Sequence, residues 1–187
     1  MTRIVAGTLG GRRISAPAGA ATRPTSDRVR EALFSALDAV TDLTEARFAD
    51  LYAGSAAVGL EALSRGAAHV LLVESDARAA RVIRENIAAL RAAPAARLVI
   101  GRIPQVLAGG PDGGPYDVVF ADPPYSVPDE QVTEMLAALV DGGWLAADAV
   151  VVVERSSRTG PVTWVDGITG ERSRRYGETT LWYGRRS

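Results

Sequence analysis

The sequence predicts an α/β protein, an open and mostly parallel sheet with helices on both faces. Three observations carry this. From residue 46 onward, short apolar runs alternate with amphipathic stretches. The runs His69–Glu74, Tyr116–Ala121 and Ala149–Glu154 are almost continuously apolar, as strands buried on both sides are. A small-residue turn around Gly54 joins an apolar strand to a helix, the corner at which such sheets bind ligands.

Taken in order, Arg3–Ala6 and Arg12–Ala16 read as two short strands around Gly7 and Gly10-Gly11, a hairpin. Residues 17–25 are rich in Pro, Ala, Gly and Thr and read as a linker. Pro24-Thr25-Ser26-Asp27 opens a helix, with Ser26 or Thr25 as N-cap and Val29, Leu33, Phe34, Leu37 and Val40 on one face. Arg47–Ala53 is a strand, and Val58–Arg65 a helix ended by Gly66. The strand His69–Glu74 leads into helix Ala77–Arg91, whose inner face carries Ile83, Ile87 and Leu90. Arg97–Ile100 is a short strand, and residues 109–115 are a surface loop. Strand Tyr116–Ala121, helix Pro128–Val140 and strand Ala149–Glu154 follow. Val162–Val165 and Thr179–Tyr183 read as strands with no helix between them, so the last strand is expected to be antiparallel. This divides the chain into a hairpin and linker, residues 1–24, and a main domain, residues 25–187.

Composition narrows the function. With 187 residues, 47% of them hydrophobic and 23% charged, the chain suits one soluble domain. No apolar run reaches the roughly 18 residues of a membrane span, and the N-terminus lacks the pattern of a secretory signal, so we expect a cytoplasmic protein. There are no cysteines and one histidine, which argues against a metal centre. Nothing points to an oligomer, so a monomer is the expectation. The net charge of −1 is unevenly spread. Residues 1–30 hold six arginines against one acid, and residues 155–187 hold seven against three. All basic residues are arginine, a bias that GC-rich coding would also give, but clustering at both ends suits a polyanionic partner.

Two segments carry chemistry. In Asp50–Gly59, an acid ends a strand and Gly54 lets the backbone turn tightly toward a helix N-terminus. A dinucleotide fingerprint would have glycine where this chain has Ala56. Glu74 ends the next strand, where an acid can accept hydrogen bonds from a ribose of either NAD or S-adenosylmethionine. The second segment, Asp122-Pro123-Pro124-Tyr125, follows a buried strand directly. Proline fixes its own φ and restricts its predecessor, so the Asp122 carboxylate and Pro123 carbonyl are held stiffly. Two fixed acceptors match the two N–H donors of an exocyclic amine, and Tyr125 can stack on a base. Such an amine is a poor nucleophile that needs orientation toward a good electrophile.

With these motifs, the chain resembles class I S-adenosylmethionine-dependent methyltransferases and, more closely, is similar to the bacterial 16S ribosomal RNA guanine-N2 methyltransferases acting at position 966 of that RNA. The match runs over nearly the whole chain, most specifically at residues 3–7, at Arg23-Pro24-Thr25-Ser26-Asp27-Arg28-Val29-Arg30-Glu31, at residues 50–67 and at Asp122–Tyr125. The resemblance implies a Rossmann-like sheet of seven strands, one antiparallel, with the hairpin as a small extension. It implies catalysis at Asp122, Pro123, Pro124 and Tyr125. Cofactor contacts are implied at Asp50, Tyr52, Ala53, Gly54, Ser55, Gly59, Glu74, Ser75, Arg102 and Ile103. RNA contacts are expected at Arg3, Arg12, Arg13, Arg23, Thr25, Arg28 and Arg30, on a small-subunit assembly particle. The cluster Arg172, Arg174, Arg175 and Tyr176 suits a solvated turn and RNA equally, and Arg174, Arg175 and Tyr176 stand as candidates. Two positions depart from the family pattern: Ala56 replaces a glycine, which would widen the turn, and Arg102 replaces an aspartate that would accept from the adenine amine. The alternatives are a DNA adenine or cytosine amino-methyltransferase, a catalytically silent RNA-binding assembly factor and, more distantly, a nicotinamide-dependent oxidoreductase.

Overall fold

The computed structural model describes residues 2–18 and 26–187. The N-terminal strands are β1 (Thr2–Arg3) and β2 (Arg13–Ile14), an antiparallel pair shorter than predicted. The turn between them folds back on itself, with the Gly11 N–H donating to the Ile4 carbonyl, so the ladder stops early. Ile4 and Ile14 are buried and join the core of the main domain.

Helix α1 (Asp27–Val40) starts at Ser26, whose hydroxyl accepts from the Val29 N–H at 3.2 Å. The chain then builds β3 (Arg47–Leu51), α2 (Ala57–Ser64), β4 (His69–Glu74), α3 (Ala77–Leu90) and β5 (Ala96–Ile100). After these come a six-residue helix α4 (Ile103–Ala108), β6 (Tyr116–Ala121), α5 (Asp129–Asp141), β7 (Leu145–Ser156), β8 (Ile168–Tyr176) and β9 (Thr179–Arg186). The sheet runs β5-β4-β3-β6-β7-β9-β8. Strands β3 to β7 run parallel to one another, and β9 is antiparallel to both β7 and β8. Two apolar clusters fill its faces, one including Leu33, Phe34, Phe48 and Leu60, the other Leu71, Met135, Leu139 and Trp144.

One predicted element is corrected, and one strand is added. Residues 162–165 form no strand; Trp164 instead packs over Gly170 and Gly184, where any Cβ would come within 2.4 and 2.7 Å of its ring. The strand is β8, and it is exposed from Thr169 to Arg175. An edge strand with exposed polar residues on both faces has no apolar periodicity to reveal it.

The sheet order reverses at β3, with β4 on one side and β6 on the other. The ends of β3 and β6 are neighbours, with Leu51 opposite Ala121. That switch point brings the Gly54 turn beside the Asp122 motif.

Candidate active site

The turn after β3 bends through three left-handed residues, Tyr52 (φ 62°), Gly54 (φ 63°) and Ala56 (φ 69°). Ala56 adopts the glycine-like conformation itself, and its N–H donates to the Ala53 carbonyl at 2.8 Å. As the N-cap of α2, Ala56 has no side-chain acceptor to offer. Asp50 supplies one from β3, its Oδ2 accepting from the Gly59 N–H at 2.9 Å. Gly59 permits this approach, since a Cβ there would lie 2.3 Å from Leu72. Burial pushes the Asp50 carboxyl well above its usual range; the Gly59 N–H opposes this, and the charges of Glu74 and Glu154 add to it.

Glu74 stiffens the same turn. Its Oε1 accepts from the Gly54 N–H at 2.8 Å and its Oε2 from the Asp76 N–H at 2.9 Å. The Gly101 N–H donates to the Glu74 carbonyl, bringing the β5–α4 corner alongside. A Cβ on Gly54 would meet nothing within 4 Å, so the backbone there faces open space.

The motif after β6 is braced at both ends. The Asp122 N–H points to the Leu51 carbonyl at 3.4 Å. The Pro124 carbonyl accepts from the Val127 N–H at 2.9 Å, so the turn's own hydrogen bond uses Pro124 and not Pro123. Pro123 is buried, while Tyr125 is 45% exposed and its hydroxyl lies 3.2 Å from Thr179 Oγ1. Burial, then the charges of Glu154 and Asp50, push the Asp122 carboxyl well above its usual range, and Arg155 opposes them. Arg155 is itself buried, and its Nη2 donates to the Val127 carbonyl at 2.8 Å and to Asp129 Oδ1 at 3.1 Å. It ties the segment that follows the motif to the end of β7.

Between α4, α5 and the strand ends lies a cleft of about 540 Å³, lined by Tyr52, Ser75, Arg102, Ile103, Pro124 and Gln131 among others. Its size is that of a site for a nucleoside-sized ligand. The open backbone at Gly54 and the braced carboxylate of Glu74 stand two residues and one residue along the chain from the cleft-lining Tyr52 and Ser75. These residues fit a nucleoside cofactor carrying an amino-acid tail.

A family model described as "Conserved hypothetical protein 95" matches residues 2–185. The Escherichia coli (strain K12) protein "Ribosomal RNA small subunit methyltransferase D" is 39% identical over 166 residues, covering 87% of this chain and 80% of that protein. The chain belongs to that family. The solved structure of Escherichia coli yhhF superposes with TM-score 0.86 at 35% identity, covering 99% of this chain and 97% of the other. The magnesium protoporphyrin IX methyltransferase ChlM of Synechocystis, solved with bound SAM, shares the fold at TM-score 0.66 and 14% identity, over 86% of this chain and 79% of its own. The fold is therefore that of class I methyltransferases.

Within this family fold, the expected site residues separate. Tyr52, Ser75, Arg102, Ile103 and Pro124 line the cleft; Ala53, Gly54 and Ser55 form the turn, and Ser55 is buried with its carbonyl accepting from Asn86 at 3.0 Å. Asp50 and Gly59 hold each other inside the fold. Among the RNA candidates, Arg23 and Thr25 lie outside the described residues. Arg13 and Arg28 are exposed; Arg3 sits 3.7 Å from Asp27, and Arg12 donates to the Ala89 carbonyl at 2.8 Å. Arg30 is a correction. Its side chain is fully buried, hydrogen-bonds to Asp27 and the Arg3 carbonyl and forms an ion pair with Glu61 at 3.4 Å, so it organises the hairpin and does not reach a ligand. Helical spacing carried the signal: Arg30, Leu33, Phe34 and Leu37 share one face, and all are buried. Arg174, Arg175 and Tyr176 belong to strand β8 and not to a turn. Sequence reasoning missed Glu154 and Arg155, whose signal was a charged pair closing an apolar strand. No metal-binding cluster occurs among the described residues, and none of their helices is long and apolar enough to cross a membrane.

Proposed function

We propose that this methyltransferase moves the methyl group of S-adenosylmethionine to N2 of a guanine in 16S ribosomal RNA, position 966 of that RNA, on an assembled small-subunit particle. The observation that carries the reading is the Asp122–Tyr125 motif, braced at the switch point against the Gly54 turn and beside the cleft. Tyr52, Gly54, Glu74, Ser75 and Ile103 would hold the cofactor. S-adenosylmethionine supplies, when bound, a methyl group on a sulfonium that is already a strong electrophile.

The protein's work is positioning. The Asp122 carboxylate accepts one N–H of the guanine amine, and the Pro123 carbonyl accepts the other. The nitrogen lone pair is thereby directed at the incoming carbon, and Tyr125 stacks on the extruded base. Holding two reactants in line supplies on the order of 7–11 kcal/mol. Asp122 also favours the positive charge that grows on nitrogen, and the excess proton leaves along its carboxylate. A domain of this size offers limited contact with RNA, which favours a pre-organised particle over naked RNA.

The test is transfer of labelled methyl from S-adenosylmethionine to small ribosomal subunits lacking the modification, followed by nucleoside analysis. The expected result is N2-methylguanosine at one site. Label appearing in duplex DNA and not in ribosomal RNA would overturn the reading.

A further inference from the structure

Strand β8 is the outermost strand of the sheet, and its residues from Thr169 to Arg175 are all exposed. Directly opposed residues in an antiparallel pair share a face. Arg172 pairs with Tyr183, Arg174 with Leu181 and Tyr176 with Thr179. Leu181 and Tyr183 belong to the cluster that also buries Ile4 and Ile14. Arg172, Arg174 and Tyr176 therefore lie along the face that the N-terminal hairpin covers further in, while Ser173 and Arg175 lie on the other.

The row ends at the reaction site. Thr179, opposite Tyr176, holds the Tyr125 hydroxyl at 3.2 Å. Arg172 rests its guanidinium 5.0 Å above the Tyr183 ring, which orients it without neutralising its charge. The acids nearby are engaged elsewhere: Glu171 pairs with Arg185 at 3.2 Å, and Glu178 lies 4.0 Å from Arg158. Alternate residues on a strand are about 6.7 Å apart, close to the separation of successive phosphates in an extended nucleic-acid strand.

We infer that β8 is a docking strip for the ribosomal RNA strand, with Arg172 and Arg174 meeting successive phosphates and Tyr176 leading the chain to Tyr125. The inference rests on the proposed function for the identity of the polyanion. Charge also argues against a second copy pairing along this edge, because β8 would bring its own arginines face to face. The simpler role for these arginines, guarding an open sheet edge, requires positive charge but no bound phosphate.

The experiment measures binding to unmodified small ribosomal subunits as a function of KCl, together with kcat and KM. For the double variant Arg172→Gln/Arg174→Gln, binding should weaken roughly tenfold at low salt, and the slope of log affinity against log salt should fall by about 1.4, or about 0.7 for each single-strand phosphate contact. KM should rise with kcat retained. Arg172→Lys/Arg174→Lys should recover most of the slope, which separates lost contacts from lost folding. Arg97→Gln, at the opposite end of the strands, is the control for net charge. An unchanged slope in the double Gln variant, or an equal fall in Arg97→Gln, overturns the strip. A wild type that binds the subunits through Arg172 and Arg174 but transfers no methyl would overturn the proposed reaction and leave the strip intact.

Discussion

In the proposed reaction Asp122 must be ionised to accept an N–H from the amine, yet its surroundings favour the protonated form. Burial is the main cause, with Glu154 and Asp50 adding to it and Arg155 resisting. The wild-type kcat/KM should therefore fall on the acid side at a pH above the ordinary carboxylate range. Asp122→Asn keeps an acceptor oxygen but cannot titrate, so its rate should be lower at neutral pH and this acid limb should vanish. A limb that persists in the variant would assign it to another group. The same shift affects stability. The folded chain holds this proton more tightly than the unfolded chain, so stability declines as pH rises from the unfolded to the folded value. Asp122→Asn should accordingly raise Tm at neutral pH. Ala56 is a second test. An alanine in left-handed geometry costs about 1–2 kcal/mol, which offsets the loss of its buried methyl, about 0.8 kcal/mol, and the added flexibility of glycine. Ala56→Gly should be near neutral, while Ala57→Gly, one residue into the helix, should cost about 1–2 kcal/mol more. Equal denaturant midpoints for the two variants would contradict this. The stiff placement of the Asp122 motif was legible because proline stiffness and an acid at a strand end are local properties. The fate of Arg30 was missed because counting charge does not separate a buried guanidinium from an exposed one.

The hairpin and α2 behave as one element, joined by a buried carboxylate. Glu61 is fully buried and accepts from the Val5 N–H at 2.8 Å and the Ala6 N–H at 3.0 Å, with Arg65 at 2.9 Å and Arg30 at 3.4 Å. Ser64 adds to this, accepting from the Leu9 N–H at 2.9 Å, and its carbonyl leaves no room for a side chain at Gly7. Glu61→Ala leaves the part-buried Val5 and Ala6 N–H groups without their acceptor and takes the buried carboxylate away from the fully buried Arg30. The expected loss is about 3–5 kcal/mol by chemical denaturation; a loss below about 1 kcal/mol would contradict the role given to it. The sequence marks the hairpin's glycines but not this dependence, because the partners are 55 and 56 residues apart. Helix α4 escaped notice for a different reason: six residues give too few turns for a periodic pattern. Strands β4 and β6 were legible to the residue because burial on both faces leaves an unbroken apolar run.

At the scale of the whole molecule, the proposed reaction site is a product of strand order. Asp50, Glu74 and Asp122 come from three different strand ends, and only the reversal at β3 sets them side by side. Parallel strand–helix alternation made that arrangement predictable in outline. The closing hairpin was less so, since β8 carries an exposed, charged sequence and takes its place only by pairing with β9. The account as a whole depends on Asp122 acting on the bound base and not on holding the cofactor. The most direct measurement is the single-turnover rate of methyl transfer by Asp122→Ala on unmodified small subunits, with S-adenosylmethionine affinity measured by calorimetry on the same protein. The account predicts a rate about 10²–10³-fold below wild type with cofactor affinity nearly unchanged. A variant that transfers methyl at the wild-type rate would contradict it.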